Sequence, residues 1–202
     1  MDDLRAFFET LALEWDSFQP PDRHEILNRL LFPFDDILQR ADSILEVGTG
    51  TGALIPLLAA HSPVSNLVSI DLATEMLARA HQRAPQTHLT QADAHALPFD
   101  TASFSAIVCH NSFPHFRQKA VVPHEFRRVL RQGGWLLILH DLSRQRVNEI
   151  HQNARAEIIH QDLLPSGLEL SRLLNQTGYA TTCVEDDDTH YVVAATAREE
   201  TI

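Results

Sequence analysis

Residues 44–52 read Ile-Leu-Glu-Val-Gly-Thr-Gly-Thr-Gly: a short, mostly apolar run followed by three glycines within five positions. The run has the length and character of a buried strand. Glycines tolerate positive φ and let a ligand touch bare backbone, while the N–H groups at a helix start attract an anion. The stretch therefore predicts a strand that ends on a ligand and opens into a helix near Ala53. Two common phosphate loops do not fit it. A dinucleotide fingerprint carries its third glycine one place later, and a P-loop requires Gly-Lys-Ser/Thr.

Outward from this loop, short apolar runs alternate with amphipathic stretches. Strands are expected at 44–47, 67–70, 88–90, 104–109 and 135–140, and helices at 52–61, 73–84, 117–131 and about 143–161. Such alternation predicts an α/β fold with a parallel sheet and helices on both faces. A last helix, 168–177, stops at Gly178, a natural C-terminal cap. The β-rich runs 179–184 and 190–196 are joined by a loop too short for a crossover helix and should pair antiparallel. Residues 1–40 show helical spacing interrupted by Pro20, Pro21 and Pro33. One domain over 1–202 is expected, with 1–40 as a helical cap and 41–202 as the core.

A net charge of −11, with no run of lysine or arginine, argues against a nucleic-acid partner. The two cysteines, Cys109 and Cys183, fall in strand-like segments and read as core thiols rather than a disulfide. The start of the chain is acidic and amphipathic, unlike a signal peptide, and no apolar run approaches the roughly 18 residues of a membrane span. A soluble cytoplasmic protein is expected.

Two carboxylates narrow the ligand. Asp71 ends the second strand about 20 residues after the loop, where a carboxylate can accept from both hydroxyls of a ribose. Asp93 follows the third strand, placed to accept an adenine amino group beside the N–H of Ala94. With these residues in place, "ILEVGTGTG", "SIDLATEMLARA", "QADAHALPF", "FSAIVCHNSFPHF" and "RRVLRQGGWLLIL" together resemble the class I S-adenosylmethionine-dependent methyltransferases, in particular the small-molecule branch that includes quinone-biosynthesis C-methyltransferases. The resemblance covers about residues 40–197.

It implies a Rossmann-like, seven-stranded, mostly parallel sheet with an antiparallel C-terminal hairpin, and S-adenosylmethionine as cofactor. It also implies that Glu46, Gly48, Thr49, Gly50 and Gly52 meet the methionine part, with Glu46 near the ammonium and the helix start near the carboxylate. Asp71 would hold the ribose, Leu72 the adenine face, Asp93 and Ala94 the adenine edge, and His110 the methyl-transfer side. The reaction would be transfer of a methyl group to a small-molecule acceptor, and a homodimer is compatible with it.

Methyl transfer by in-line displacement needs mainly positioning, and a base only where the nucleophile carries a proton of high pKa. Imidazole suits that task. His110 and His140 end the fourth and fifth strands, and His115 lies just beyond the first of them. Asn148, His151, Arg155 and Asp162 share a polar stripe if 143–161 is one helix, so His151 and Arg155 are candidate substrate contacts, with Trp15 and Phe18 from the cap. No metal is assigned, although His110, His115, His140, Asp141, His151, His160 and Asp162 supply donors for a metal-assisted alternative. A cofactor-binding module without turnover is the third reading. The sequence departs from the family at "HNSFPHF", where Pro114 precedes a single histidine, so a quinone acceptor is not carried over.

Overall fold

A computed structural model describes residues 2–61 and 66–199; residue 1 and residues 200–202, the ends of the expected domain, lie outside them. The chain falls into two compact units, Met1–Asp93 and Ala94–Ile202. Its seven strands are ordered β3-β2-β1-β4-β5-β7-β6 in one mixed sheet, mostly parallel with an antiparallel C-terminal hairpin.

The first unit runs α1 (Asp2–Leu11), α2 (Arg23–Leu31), α3 (Asp35–Arg40), β1 (Ile44–Val47), α4 (Ile55–His61), β2 (Leu67–Asp71), α5 (Thr74–Arg83) and β3 (His88–Gln91), with single 3-10 turns at Trp15–Phe18 and Phe32–Phe34. All four residues of β1 are buried. It pairs in parallel with β2, Ile44 opposite Leu67, and β2 pairs in parallel with β3, Val68 opposite His88. α1 lies against α5. Ala12, Ala73 and Met76 form a small core there, covered by the half-buried rings of Phe8 and Trp15. The carboxylate of Glu9 joins the two helices: it accepts from the N–H and hydroxyl of Thr74 and from the N–H of Glu75, satisfying donors that a helix start leaves open.

The second unit contains β4 (Phe104–His110), α6 (Val122–Val129), β5 (Leu130–His140), α7 (Arg144–Gln152), α8 (Gly167–Gln176), β6 (Tyr179–Asp186) and β7 (Tyr191–Ala197). β4 and β5 are parallel, with His110 opposite Leu139, while β7 is antiparallel to both β5 and β6. Ser166 and Glu169 close a reciprocal capping box at the start of α8, the arrangement that satisfies two otherwise open N–H groups. The helix ends one residue before Thr177, and Gly178 follows at φ +92° as its cap.

Five sequence expectations need correction. The helix after the glycine loop starts at Ile55, not Ala53, because Gly48, Gly50 and Gly52 all have positive φ and delay the helical turn. The expected helix 117–131 shortens to Val122–Val129, starting where Pro123 fits the first turn without an N–H to lose, and the strand behind it begins at Leu130 rather than 135. The expected helix 143–161 ends at Gln152. There Asn153 folds its side chain back onto the Glu149 carbonyl, and the returning chain is caught by Asn148, whose amide bonds both the N–H and the carbonyl of Leu164. Cys183 is only half-buried because β6 is the edge strand, whereas Cys109 is a core thiol, its pKa pushed up to about 12 by burial.

Candidate functional site

In the first unit, the site is built on the end of β1. Val47 hands over to a loop whose N–H groups at Gly48 and Thr49 both donate to the carbonyl of Ile70, so the loop lies against the end of β2. Gly52, at φ +80°, brings the loop so close to α5 that an added Cβ would stand 3.0 Å from the Cα and Cβ of Ala80. Gly50, at φ +56°, leaves its Cβ position 3.8 Å from the indole nitrogen of Trp15. Conformation favours glycine at both positions, and at Gly52 space does so as well.

Asp71 stands at the end of β2 as expected. Its Oδ2 accepts from the N–H of Gly50 at 2.8 Å and its Oδ1 from the N–H of Ala73 at 3.0 Å. Burial raises its pKa against the pull of these donors. The N–H of Leu72 bonds this carboxylate as well, so three backbone donors hold it at the end of β2, where a ribose is expected. Glu46 is 2% exposed, and its Oε2 accepts from the hydroxyls of Ser69 (2.6 Å) and Thr49 (2.8 Å). Burial raises its pKa to about 7 despite those bonds. Asp93 is half-buried, as is Leu72.

Long-range polar pairs that sequence reading missed surround the loop. Asp16, in the 3-10 turn that carries Trp15, accepts from the Thr51 hydroxyl at 2.7 Å and from Arg83 at 2.9 Å, with Arg23 at 3.6 Å. Trp15 itself is partly core, as its packing on Ala12, Ala73 and Met76 shows, while Phe18 is exposed.

In the second unit, the ends of β4 and β5 collect imidazoles. His110 is 7% exposed with Nε2 3.8 Å from the Asp141 carboxylate. Asn111, at φ +52°, donates its side-chain amide to Asp141 at 2.7 Å and its backbone N–H to Leu139. A non-glycine residue in this region is uncommon; nothing in the sequence marked Asn111. His140 is 1% exposed, its ring edge-on to Tyr191, and its Nε2 has no hydrogen-bond partner among the described residues. Burial, reinforced by His110, His115 and His151, holds its pKa well below the usual imidazole value.

His115 and Asp162 form a hydrogen-bonded dyad, Nδ1 to Oδ2 at 2.8 Å. The His115 ring lies 4.8 Å from that of His151, whose Nδ1 is hydrogen-bonded to the Asp162 carbonyl. His151 has its pKa lowered by burial and by His115. Because α7 ends early, the expected stripe is replaced by this turn: Asn148 and His151 are on the helix, Asp162 returns to them through the chain, and Arg155 is exposed beyond the helix end. His160 is bonded locally to the Ala154 carbonyl. Among the described residues no group of three or more His, Cys, Asp or Glu side chains is arranged to hold a metal ion, so the metal-assisted alternative gains nothing from the geometry. Ala94, which opens this unit, is buried.

Residues 45–138 match a family model described as a methyltransferase domain. A demethylmenaquinone methyltransferase of Thermotoga maritima is 33% identical over 129 residues, 58% of this chain and 56% of that protein. A phosphatidylethanolamine N-methyltransferase of Cereibacter sphaeroides is 33% identical over 113 residues, 53% of this chain and 54% of its own length. The chain thus spans little more than half of either relative. Among solved structures, an S-adenosylmethionine-dependent methyltransferase of Aquifex aeolicus superposes with a TM-score of 0.70 at 17% identity, over 92% of this chain and 98% of that one, which is a likeness of fold.

Proposed function

Because the chain belongs to the class I S-adenosylmethionine-dependent methyltransferases and takes S-adenosylmethionine as its cofactor, we propose that it transfers a methyl group to a small-molecule acceptor in the cytoplasm. The observation that carries the reading is the pairing of a glycine loop with Asp71: the carboxylate at the end of β2 holds the loop through Gly50, which puts it where a ribose would meet the loop. When bound, the cofactor supplies an electrophilic methyl on a sulfonium. The protein's part is to bind, orient and exclude water. Glu46 serves the ammonium, and Leu72, Asp93 and Ala94 serve the adenine. Residues 1–40 work as a cap over one methyltransferase domain, with Trp15 on the substrate side, and no nucleic acid takes part.

The second unit adds a proton acceptor. With Asp162 holding the Nδ1 proton of His115, the lone pair of that imidazole is placed on Nε2, the tautomer a general base requires. His110, beside Asp141, lines the methyl-transfer side, and His140 supports the cluster from behind as a neutral ring. This arrangement favours an acceptor whose nucleophile carries a proton. The relatives' names span carbon and nitrogen acceptors, so the acceptor atom is left to experiment. Purified protein incubated with methyl-labelled cofactor and a small-molecule extract should place label in a small product, with S-adenosylhomocysteine formed in equal amount. Label that stays on the cofactor would leave a binding module, and label in protein or nucleic acid would contradict the acceptor class.

A further inference from the structure

We propose that the second unit carries a binding site for the phosphate group of a small molecule, at the end of the sheet opposite to His140. His140 is the last residue of β5 and pairs with Tyr191, the first of β7. At the other end of these strands, where Ala197 pairs with Tyr179, lies a cavity of about 640 Å³. Its lining includes Leu130, the first residue of β5, and Gly178, which leads into β6. A space of this size suits a small ligand. Its lining residues all fall between 101 and 199, within the one unit. Charge sets it apart: in a chain of net charge −11, it is lined by Arg127, Arg128 and Arg198 together with His124.

The three arginines are not alike. Arg128 is neutralised, because its Nε and Nη2 donate to the two oxygens of Glu125 at 2.9 and 2.6 Å, and it also holds the carbonyls of Phe99 and Leu97. Arg127 donates instead to carbonyls, that of Arg198 at 2.7 Å and that of Leu130 at 3.4 Å, which orient a guanidinium without cancelling its charge. Its side chain lies over Gly178, where an added Cβ would stand 3.5 Å from Nε. Arg198 is tied to the same turn: its N–H donates to the Gly178 carbonyl, and its guanidinium to the side-chain oxygen of Asn175 at 3.3 Å. Among the described residues no carboxylate pairs with Arg127 or Arg198, and Glu199, the carboxylate in the lining, is exposed. His124 stands three residues before Arg127 on α6, so both come to one side of the helix. Two neighbouring guanidinium forks of unmet charge match the oxygens of a phosphate, and a local positive field in an acidic protein gathers anions. The negative charge of the whole chain disfavours an extended polyanion, which leaves a small phosphorylated molecule.

Calorimetric titration of the protein with pyrophosphate at physiological salt tests the site. Wild-type protein should bind one pyrophosphate per chain with a Kd below about 1 mM, more tightly than it binds succinate, and equally well with and without saturating S-adenosylmethionine. Arg198→Ala removes an exposed side chain held by a single 3.3 Å bond and should weaken pyrophosphate about 10-fold, the worth of a charge-assisted bond, with an unchanged thermal melt. Arg127→Lys, which keeps the charge and loses the fork, should weaken it by less. No saturable binding, binding no tighter than that of succinate, or equal affinity in wild type and Arg198→Ala overturns the proposal. Displacement by S-adenosylmethionine also overturns it, since the anion would then occupy the cofactor site, and so does an Arg198→Ala variant that loses binding by unfolding. Co-sedimentation with phosphatidylglycerol vesicles and not with phosphatidylcholine vesicles, lost in Arg198→Ala, would give the cavity to a lipid surface and overturn the small-molecule assignment.

Discussion

The end of β1 and the ends of β4 and β5 bury ionisable groups in opposite senses. Glu46 sits among hydroxyl donors and keeps its proton up to about pH 7, while His140 and His151 are held below the usual imidazole pKa, so they stay neutral. The cause is common to both, because removal from water penalises the charged form whichever its sign. The lesson is that the two units should respond to pH in opposite directions.

The largest effect tests the packing beneath the first region. Gly52→Val places a branched side chain at φ +80° against the backbone of Ala80 and should cost about 2–4 kcal/mol, with loss of cofactor binding. A variant that melts like wild type would show that the loop does not need this close approach.

Next is Glu46. Its folded pKa of about 7 lies above the ordinary carboxyl value of 4.5, so the folded state binds the extra proton in that window. Its contribution is full below about pH 4.5 and is lost as pH rises to about 7, by roughly 3 kcal/mol. Glu46→Gln should therefore flatten the thermal stability of the protein against pH over that interval. The histidines carry the opposite sign. Their folded pKa is depressed, the unfolded chain binds the additional proton, and stability present above pH 6.5 is lost as pH falls below it. His140→Phe, which keeps a ring against Tyr191, should lose less stability than wild type between pH 6.5 and 5. If both variants shift the profile in the same direction, the comparison fails.

The smallest effect is a control in the second unit. Ser166→Ala removes the α8 capping box and should cost about 1 kcal/mol at every pH, with no change in the shape of the profile. Thermal melts at several pH values check it.

The first unit was the more legible in sequence because its chemistry lies in backbone. Glycine spacing, the carboxylate at the end of β2 and the alternation of runs read directly into the strand–loop–helix order that the structure has. What escaped was held by side chains far apart in the chain. Asp16 meets Thr51 across 35 residues, Glu9 meets Thr74 across 65, and His115 meets Asp162 across 47. Such pairs leave no periodic trace. The α7 stripe misled for a related reason: its polar spacing was helical, but a side-chain cap at Asn153 and the clasp of Asn148 on Leu164 end the helix first. The histidines at the ends of β4 and β5 were legible by position, and their burial was not.

The central claim is that the loop after β1 and Asp71 form one clasp for S-adenosylmethionine. Equilibrium binding of that cofactor to wild-type protein and to Asp71→Ala tests it most directly. One site per chain in wild type, weakened at least about 10-fold in the variant by loss of the diol acceptor and of the Gly50 tether, is the predicted result. Equal affinity in the two proteins, or no saturable binding to wild type, would contradict it.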